Sequence, residues 1–80
     1  MGWQIDFSKT ALKQLTKLDP QIQRRIIDYL KKKVVLSPKE FGDPLRNDLS
    51  GYWKYRVGDY RVICELQDNK LIVMVLRVGH

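Results

Sequence analysis

Alternation of apolar and polar residues predicts a β-hairpin in the second half of the chain. Residues 51–62 read G-Y-W-K-Y-R-V-G-D-Y-R-V, and the alternation is interrupted only at Gly58 and Asp59. These two residue types suit a two-residue hairpin turn, and a turn at this point sets Arg56 opposite Arg61. One face of the hairpin is then apolar and consists of Trp53, Tyr55, Val57, Tyr60, Val62 and Cys64. The other face carries Tyr52, Lys54, Arg56 and Arg61.

Hydrophobic spacing upstream of the hairpin predicts one strand and two helices. Apolar residues at positions 3, 5 and 7 alternate with polar ones, which indicates a short first strand. Apolar residues at helical spacing predict helices over residues 9–18 and 20–34, with Ser8 and Asp19 as their N-caps. Ser37-Pro38 ends the second helix, because a residue before proline is disfavoured in the α region. The short connection predicts an antiparallel αα-hairpin.

The remaining residues complete one α+β domain over residues 1–80. Residues 39–50 have no sustained period and predict a loop, from which Leu45 and Leu49 reach the core. Strands over residues 52–57, 60–66 and 71–78 form an antiparallel meander, with the helical hairpin packed on one face. The last strand is apolar at every position from 71 to 76, so we expect it inside the sheet.

Composition narrows the possible functions. The formal net charge is +6 with a pI of about 9.7, which suits nucleic acid, an acidic protein or a ribosome-like polyanion as partner. One cysteine, Cys64, precludes a disulfide within the chain and fits a reducing, cytoplasmic compartment. We expect no membrane segment, no cofactor and no metal site, since one histidine and one cysteine do not make a zinc cluster.

The cationic hairpin face is the candidate site. Arg56 and Arg61 can bind a phosphate and stabilise the extra negative charge of its transition state. Two neighbouring positive charges disfavour the ammonium form of Lys54, which makes it a candidate general base on a ribose 2′-hydroxyl. Tyr52 could stack a base. The alternative is that these long cations only cover an exposed sheet face.

A second basic feature is the run of Lys31, Lys32 and Lys33 on the second helix. Such a run is commonly a solvated helix face. If it binds a ligand, we expect contacts to RNA phosphates without sequence preference.

The stretch D-L-S-G-Y-W-K-Y-R-V-G-D-Y-R-V-I-C-E-L, followed by K-L-I-V-M-V-L-R-V-G-H, resembles the RelE/ParE superfamily of bacterial toxin–antitoxin systems, on its RelE side. The resemblance implies a metal-independent endoribonuclease that cuts mRNA in the ribosomal A site and leaves a 2′,3′-cyclic phosphate. The family's two sheet cations fall on Lys54 and Arg56, and its phosphate-binding arginine falls on Arg61. The implied partner is a cognate antitoxin, through which operator DNA is bound indirectly.

The chain departs from the family pattern after V-G-H. Family members continue with an arginine and a tyrosine that contribute to the active site, whereas this sequence stops at His80. We therefore expect weakened or absent cleavage by this short form. His80 is a general acid if it is anchored and a loose terminal residue if it is not. Two other functions remain open: a ParE-like poison of DNA gyrase, and a catalytically silent module that binds the antitoxin.

Overall fold

A five-stranded sheet organises the chain, which the computed structural model describes over residues 2–45 and 51–80. The strand order is β1-β5-β4-β3-β2. β3, β4 and β5 form the predicted antiparallel meander, while β1 pairs with β5 in parallel. The strands are β1 (Gln4–Phe7), β2 (Asp43–Pro44), β3 (Tyr52–Val57), β4 (Tyr60–Gln67) and β5 (Ile72–Gly79). The predicted α+β class is confirmed.

The two predicted helices are present and begin at the predicted caps. The backbone N–H of Ala11 donates to Ser8 Oγ at 3.0 Å, and the N–H of Gln21 donates to Asp19 Oδ1 at 2.8 Å. Each bond satisfies one of the donors that a helix N-terminus leaves unpaired. The second helix passes into one π-helical turn before it ends. The helices are α1 (Lys9–Thr16), α2 (Pro20–Tyr29) with its π turn (Leu30–Val34), and α3 (Pro38–Phe41).

The β3–β4 hairpin has the predicted register. Arg56 lies opposite Arg61, and Val57 lies opposite Tyr60 beside the turn. Gly58 occupies the first turn position with φ +60°, where a type II′ turn favours glycine. The register therefore divides the hairpin into the two faces that the alternation predicts.

The core lies between the helices and the apolar face of the sheet. Tyr55 and Val62 of the hairpin are fully buried there, and so are Ile26 and Leu30 of the second helix. β5 lies between β1 and β4, as its continuous apolar run predicts. The other fully or almost fully buried residues are Ala11, Leu15, Val34, Val57, Cys64, Leu66, Val73, Val75 and Val78.

The predicted loop over residues 39–50 is wrong in its first part. The structure forms α3 there, and Asp43 and Pro44 pair with β3 as the short strand β2. Neither element is long enough to show a period in the sequence. The expectation that Leu45 reaches the core is also wrong, because 41% of its surface is exposed. Leu49 lies outside the described residues.

Two contacts hold α3 and the residue that follows it against β3. The Tyr55 hydroxyl donates a hydrogen bond of 2.6 Å to the backbone carbonyl of Pro38. Gly42 approaches β3 so closely that a Cβ there would lie 2.6 Å from the carbonyl oxygen of Lys54 and 2.6 Å from the Tyr55 ring. Glycine at position 42 is therefore required by space and not by backbone conformation.

We expect Gly42→Ala to lower the free energy of unfolding by about 1–3 kcal/mol, because the new methyl group meets backbone and a buried ring. Urea denaturation followed by circular dichroism measures this. Gly79→Ala is the matched control, since a Cβ there meets nothing within 4 Å, and its effect should stay within about 0.5 kcal/mol. Equal stability of the two variants would contradict the close approach.

Tyr55→Phe should cost about 1–3 kcal/mol, because it leaves the carbonyl of Pro38 without its donor. Tyr60→Phe is the control, as the Tyr60 hydroxyl donates no hydrogen bond to the described residues. The same denaturation experiment compares the two. A loss for Tyr55→Phe no larger than that for Tyr60→Phe would show that the hydroxyl bond contributes nothing to stability.

Candidate nucleic-acid interface

The three predicted sheet cations line one concavity of about 220 Å³, which we call the sheet concavity. Arg56 and Arg61 face each other across the hairpin, so their Cβ atoms are about 4.5–5.5 Å apart. Lys54 lies two residues before Arg56 and therefore on the same face. All three side chains are exposed. Phe41 and Asp43 also line it.

The sheet concavity is electropositive. Among residues 2–45 and 51–80, no carboxylate oxygen lies within 4.0 Å of the charged nitrogens of Lys54, Arg56 or Arg61. Asp43 lines the concavity and is the register partner of Lys54, yet it forms no ion pair with any residue that the structure describes. Three positive charges thus face one negative charge in a partly enclosed space. A phosphate is the ligand that such an arrangement favours.

His80 is not brought together with these cations. Its ring lies against the ring of Tyr60, with the two centroids 5.0 Å apart. Tyr60 pairs with the buried Val57 and so belongs to the apolar face of the hairpin, opposite to the face of Arg61. The terminal histidine is therefore held by an aromatic contact on the other side of the sheet.

Tyr52 lies on the cationic face but outside the sheet concavity. It begins β3, opposite Glu65, and 39% of its surface is exposed. Its predicted stacking role stays a prediction.

The three residues of the lysine run differ in their surroundings. Lys32 and Lys33 line a second depression of about 430 Å³, which we call the helix groove, whereas Lys31 does not line it. Lys33 lies over the ring of Tyr29, with Nζ 5.8 Å from the centroid. The helix groove and the sheet concavity share Arg56. The charged residues that line the helix groove are Arg25, Asp28, Lys32, Lys33 and Arg56.

A β-bulge adds a fourth cation to the cationic face. The β4–β5 register shifts between Ile63 and Cys64, so that Ile63 pairs with Arg77 and Val62 with Val78. Ile63 also pairs with Lys54, which places Arg77 on the same face as Lys54 and exposes it. Simple alternation along the strand would have set Arg77 opposite Val62, on the core side. Arg77 is for this reason not recognisable from the sequence as part of the cationic face, and Phe41 and Asp43 are not recognisable because they fall in the predicted loop.

Burial raises the pKa of three groups beneath and beside the cationic face. Burial raises the pKa of the Cys64 thiol to about 12. Burial, followed by the charges of Cys64 and Tyr29, raises the pKa of Tyr55 above its usual range, and partial burial raises the pKa of Tyr29. A thiol that keeps its proton is a poor nucleophile, and Cys64 is fully buried, so it is placed to pack in the core.

Neither a metal cluster nor a membrane-crossing helix is found in the described part of the chain. No group of three or more His, Cys, Asp or Glu side chains could hold an ion there. None of the helices combines the length and the apolar character that crossing a membrane requires.

Comparison with known proteins identifies the family. Residues 5–80 match the family described as the ParE toxin of type II toxin–antitoxin system, parDE. Toxin RelG of Mycobacterium tuberculosis is 32% identical over 80 residues, which cover 100% of this chain and 92% of RelG. The chain belongs to the RelE family of toxins. The resemblance in the hairpin sequence is thereby confirmed, with the ParE description naming the other branch of the same superfamily.

Two further similarities support this RelE-family assignment. The mRNA interferase toxin RelE of Escherichia coli is 34% identical over 83 residues, covering 99% of this chain and 83% of that protein. The crystal structure of the toxin–antitoxin complex RelBE2 from Mycobacterium tuberculosis contains a chain that matches with a TM-score of 0.90 and 31% identity. The match covers 100% of this chain and 99% of that one.

The buried thiol predicts how stability of this RelE-family toxin responds to alkali. An unfolded thiol titrates near 9.0, whereas Cys64 in the folded chain keeps its proton up to about 12. Above the lower value the unfolded state binds fewer protons, so the free energy of unfolding should fall by about 1.4 kcal/mol per pH unit. The contribution is complete below the unfolded value and is lost as pH rises toward the folded one.

Urea titrations between about pH 8 and 10 measure this slope, and Cys64→Ala is the control, because it removes the thiol. The slope just above the unfolded thiol value should be absent from the variant. An identical slope in both proteins would assign the alkaline loss to other groups.

Proposed function

We propose that this RelE-family toxin is an mRNA interferase that cleaves mRNA in the ribosomal A site and so inhibits translation. The observation that carries the proposal is the convergence of Lys54, Arg56 and Arg61 on one concavity, where none of the described carboxylates forms an ion pair with them. The relative from Escherichia coli bears the name of this activity.

In the proposed reaction the nucleophile comes from the RNA. The ribose 2′-oxygen forms a new bond to the adjacent phosphorus while the bond from phosphorus to the 5′-oxygen breaks, which yields a 2′,3′-cyclic phosphate and a 5′-hydroxyl. Lys54 accepts the proton of the 2′-hydroxyl, since its amine lines the concavity beside the two arginines that bind the phosphate. The 5′-oxygen takes a proton from water. We assign no protein acid to this step, because His80 lies on the other face.

Arg56 and Arg61 bind the non-bridging phosphate oxygens. The attack adds negative charge to these oxygens, and fixed guanidinium groups stabilise that charge more strongly in the transition state than in the bound substrate. The hairpin register sets the Cβ atoms of the two arginines opposite each other before RNA arrives, so both side chains start from the same side of one phosphate. Tyr52 is proposed to stack a base beside the concavity.

A cognate antitoxin is the second proposed partner. RelBE2 of Mycobacterium tuberculosis, whose toxin chain has this fold, is a toxin–antitoxin complex. We propose an antitoxin that neutralises this chain in the same way and that carries the contact to operator DNA. If the chain is catalytically silent, it still binds the antitoxin, and the cationic face then serves only in recognition.

The alternative function is that of a ParE-like poison of DNA gyrase, which the description of the matching family favours. Such a poison acts by binding gyrase and has no need of a phosphate site for RNA cleavage. Inhibition of gyrase supercoiling, with intact mRNA on programmed ribosomes, would favour this function over the one proposed.

We expect Arg61→Ala to lower kcat for mRNA cleavage on programmed ribosomes by about 100-fold or more, as loss of a transition-state donor does. Arg24→Ala is the matched control, because Arg24 is exposed on α2, lines neither depression and carries the same charge. Arg61→Lys keeps the charge but loses the bidentate fork, so its rate should fall between the two.

Primer extension on the ribosome-bound message measures the cleavage rates, and circular dichroism verifies that each variant is folded. If Arg61→Ala cuts as fast as Arg24→Ala, Arg61 has no part in the reaction.

A further inference from the structure

The helix groove is a second cationic depression that the proposed reaction does not use. It lies between the second helix and the β3–β4 turn and measures about 430 Å³. Arg25, Lys32, Lys33 and Arg56 contribute four positive charges to its lining, against one carboxylate from Asp28. The pair between Asp28 and Lys32 is 4.0 Å long and highly exposed, so it leaves Lys32 available to another anion.

The groove is built by helical spacing and by the hairpin turn. Positions 25, 28, 29 and 32 fall on one helix face, since residues three and four apart are neighbours. Arg25 lies over the turn: a Cβ at Gly58 would come within 3.2 Å of its Nη1 atom. The guanidinium thus packs closely over the turn glycine, whose φ of +60° is what favours glycine here. The groove therefore has one wall from the helix and one from the hairpin.

Arg56 connects the groove to the sheet concavity, because it lines both. A ligand bound in one depression can thus extend into the other and contact positively charged side chains along its whole length. The ligand that fits a continuous cationic path is an extended polyanion with evenly spaced charges. The half-buried ring of Tyr29, beneath Lys33, adds an aromatic surface of the kind that lines single-strand channels.

We propose that the helix groove binds the phosphodiester backbone of the RNA strand next to the scissile phosphate, with Lys32 and Lys33 as its contacts. This inference rests on the proposed function. It divides the lysine run by geometry: Lys32 and Lys33 contact phosphates, and Lys31, which lies outside the groove, contributes only general positive charge. Arg25 belongs to the same subsite and holds the groove wall against the hairpin.

The binding test uses a single-stranded 2′-O-methyl RNA of about twelve residues, which lacks the attacking hydroxyl, with fluorescence anisotropy across a salt series. Two lost phosphate contacts should reduce the slope of log affinity against log salt by about 1.4 for the variant Lys32→Ala/Lys33→Ala. The charge-matched control is Lys13→Ala/Lys17→Ala, two exposed lysines in α1 and at its C-cap, which should keep the slope of the unchanged protein. Lys31→Ala should weaken binding less than Lys32→Ala does.

A second probe separates RNA from an acidic protein as the occupant. Polyglutamate of matched charge is titrated against the same proteins. A loss confined to the RNA supports the subsite, whereas equal losses for RNA and polyglutamate overturn it in favour of an acidic protein. Equal slopes for the groove variant and its control also overturn it.

Cleavage on programmed ribosomes distinguishes failure of the subsite from failure of the proposed function. The groove variant should raise KM about tenfold and leave kcat nearly unchanged, because it loses contacts to phosphates that do not react. If the unchanged protein cuts no mRNA, the proposed function fails, and the oligonucleotide experiment still decides the groove. If it cuts mRNA and the groove variant matches its control in KM, the subsite alone is refuted.

Discussion

The pairing of β3 with β4 is the constraint on which both faces of the sheet depend. Because side chains alternate along a strand, one register decides which residues are buried and which meet solvent. This register opposes Arg56 and Arg61 at a cost on the order of a few tenths of a kcal/mol. It also buries Tyr55 and Val62 completely, and each buried side chain contributes about 1.5–3 kcal/mol. Core packing therefore outweighs the repulsion and imposes the cationic cluster on the surface.

The core and the sheet concavity are connected through the segment that precedes β2. The buried ring of Tyr55 packs against Gly42, and its hydroxyl binds the carbonyl of Pro38. Phe41 and Asp43, which lie between and beside these contacts, line the concavity. Tyr55, which lies on the core face of the sheet, thus positions the segment that lines the concavity on the other face. Stability and binding geometry share one anchor in this small protein.

The parts of the fold that could be predicted from the sequence are those set by local patterns. The Gly58-Asp59 turn fixes the hairpin register, and the caps at Ser8 and Asp19 depend on residues within the next three positions. The parallel pairing of β1 with β5 could not be predicted, since it joins the two ends of the chain. β2 escaped detection because two residues show no period.

The candidate site was predictable to the same extent. Lys54, Arg56 and Arg61 follow from alternation within one hairpin, and the structure places them in one concavity. Arg77 and His80 do not follow, since each depends on tertiary context: the bulge for Arg77, and the Tyr60 ring for His80. The lysine run was visible in the sequence, but its division needed the position of Arg56 relative to the helix.

The bulge in β5 decides which of the final side chains of the strand face the core and which face solvent. One additional residue, at Leu76, inverts the inside–outside order, so that Val78 enters the core and Arg77 faces solvent. The Ser8 hydroxyl donates to the carbonyl of Leu76 at 3.0 Å, and the Gln14 amide oxygen accepts from the N–H of Val78 at 2.7 Å. The N-cap and a side chain of helix α1 thereby bind the backbone of β5 on both sides of Arg77. A one-residue deletion here would exchange a valine for an arginine in the interior, so this strand end can diverge by substitution far more readily than by changes in length.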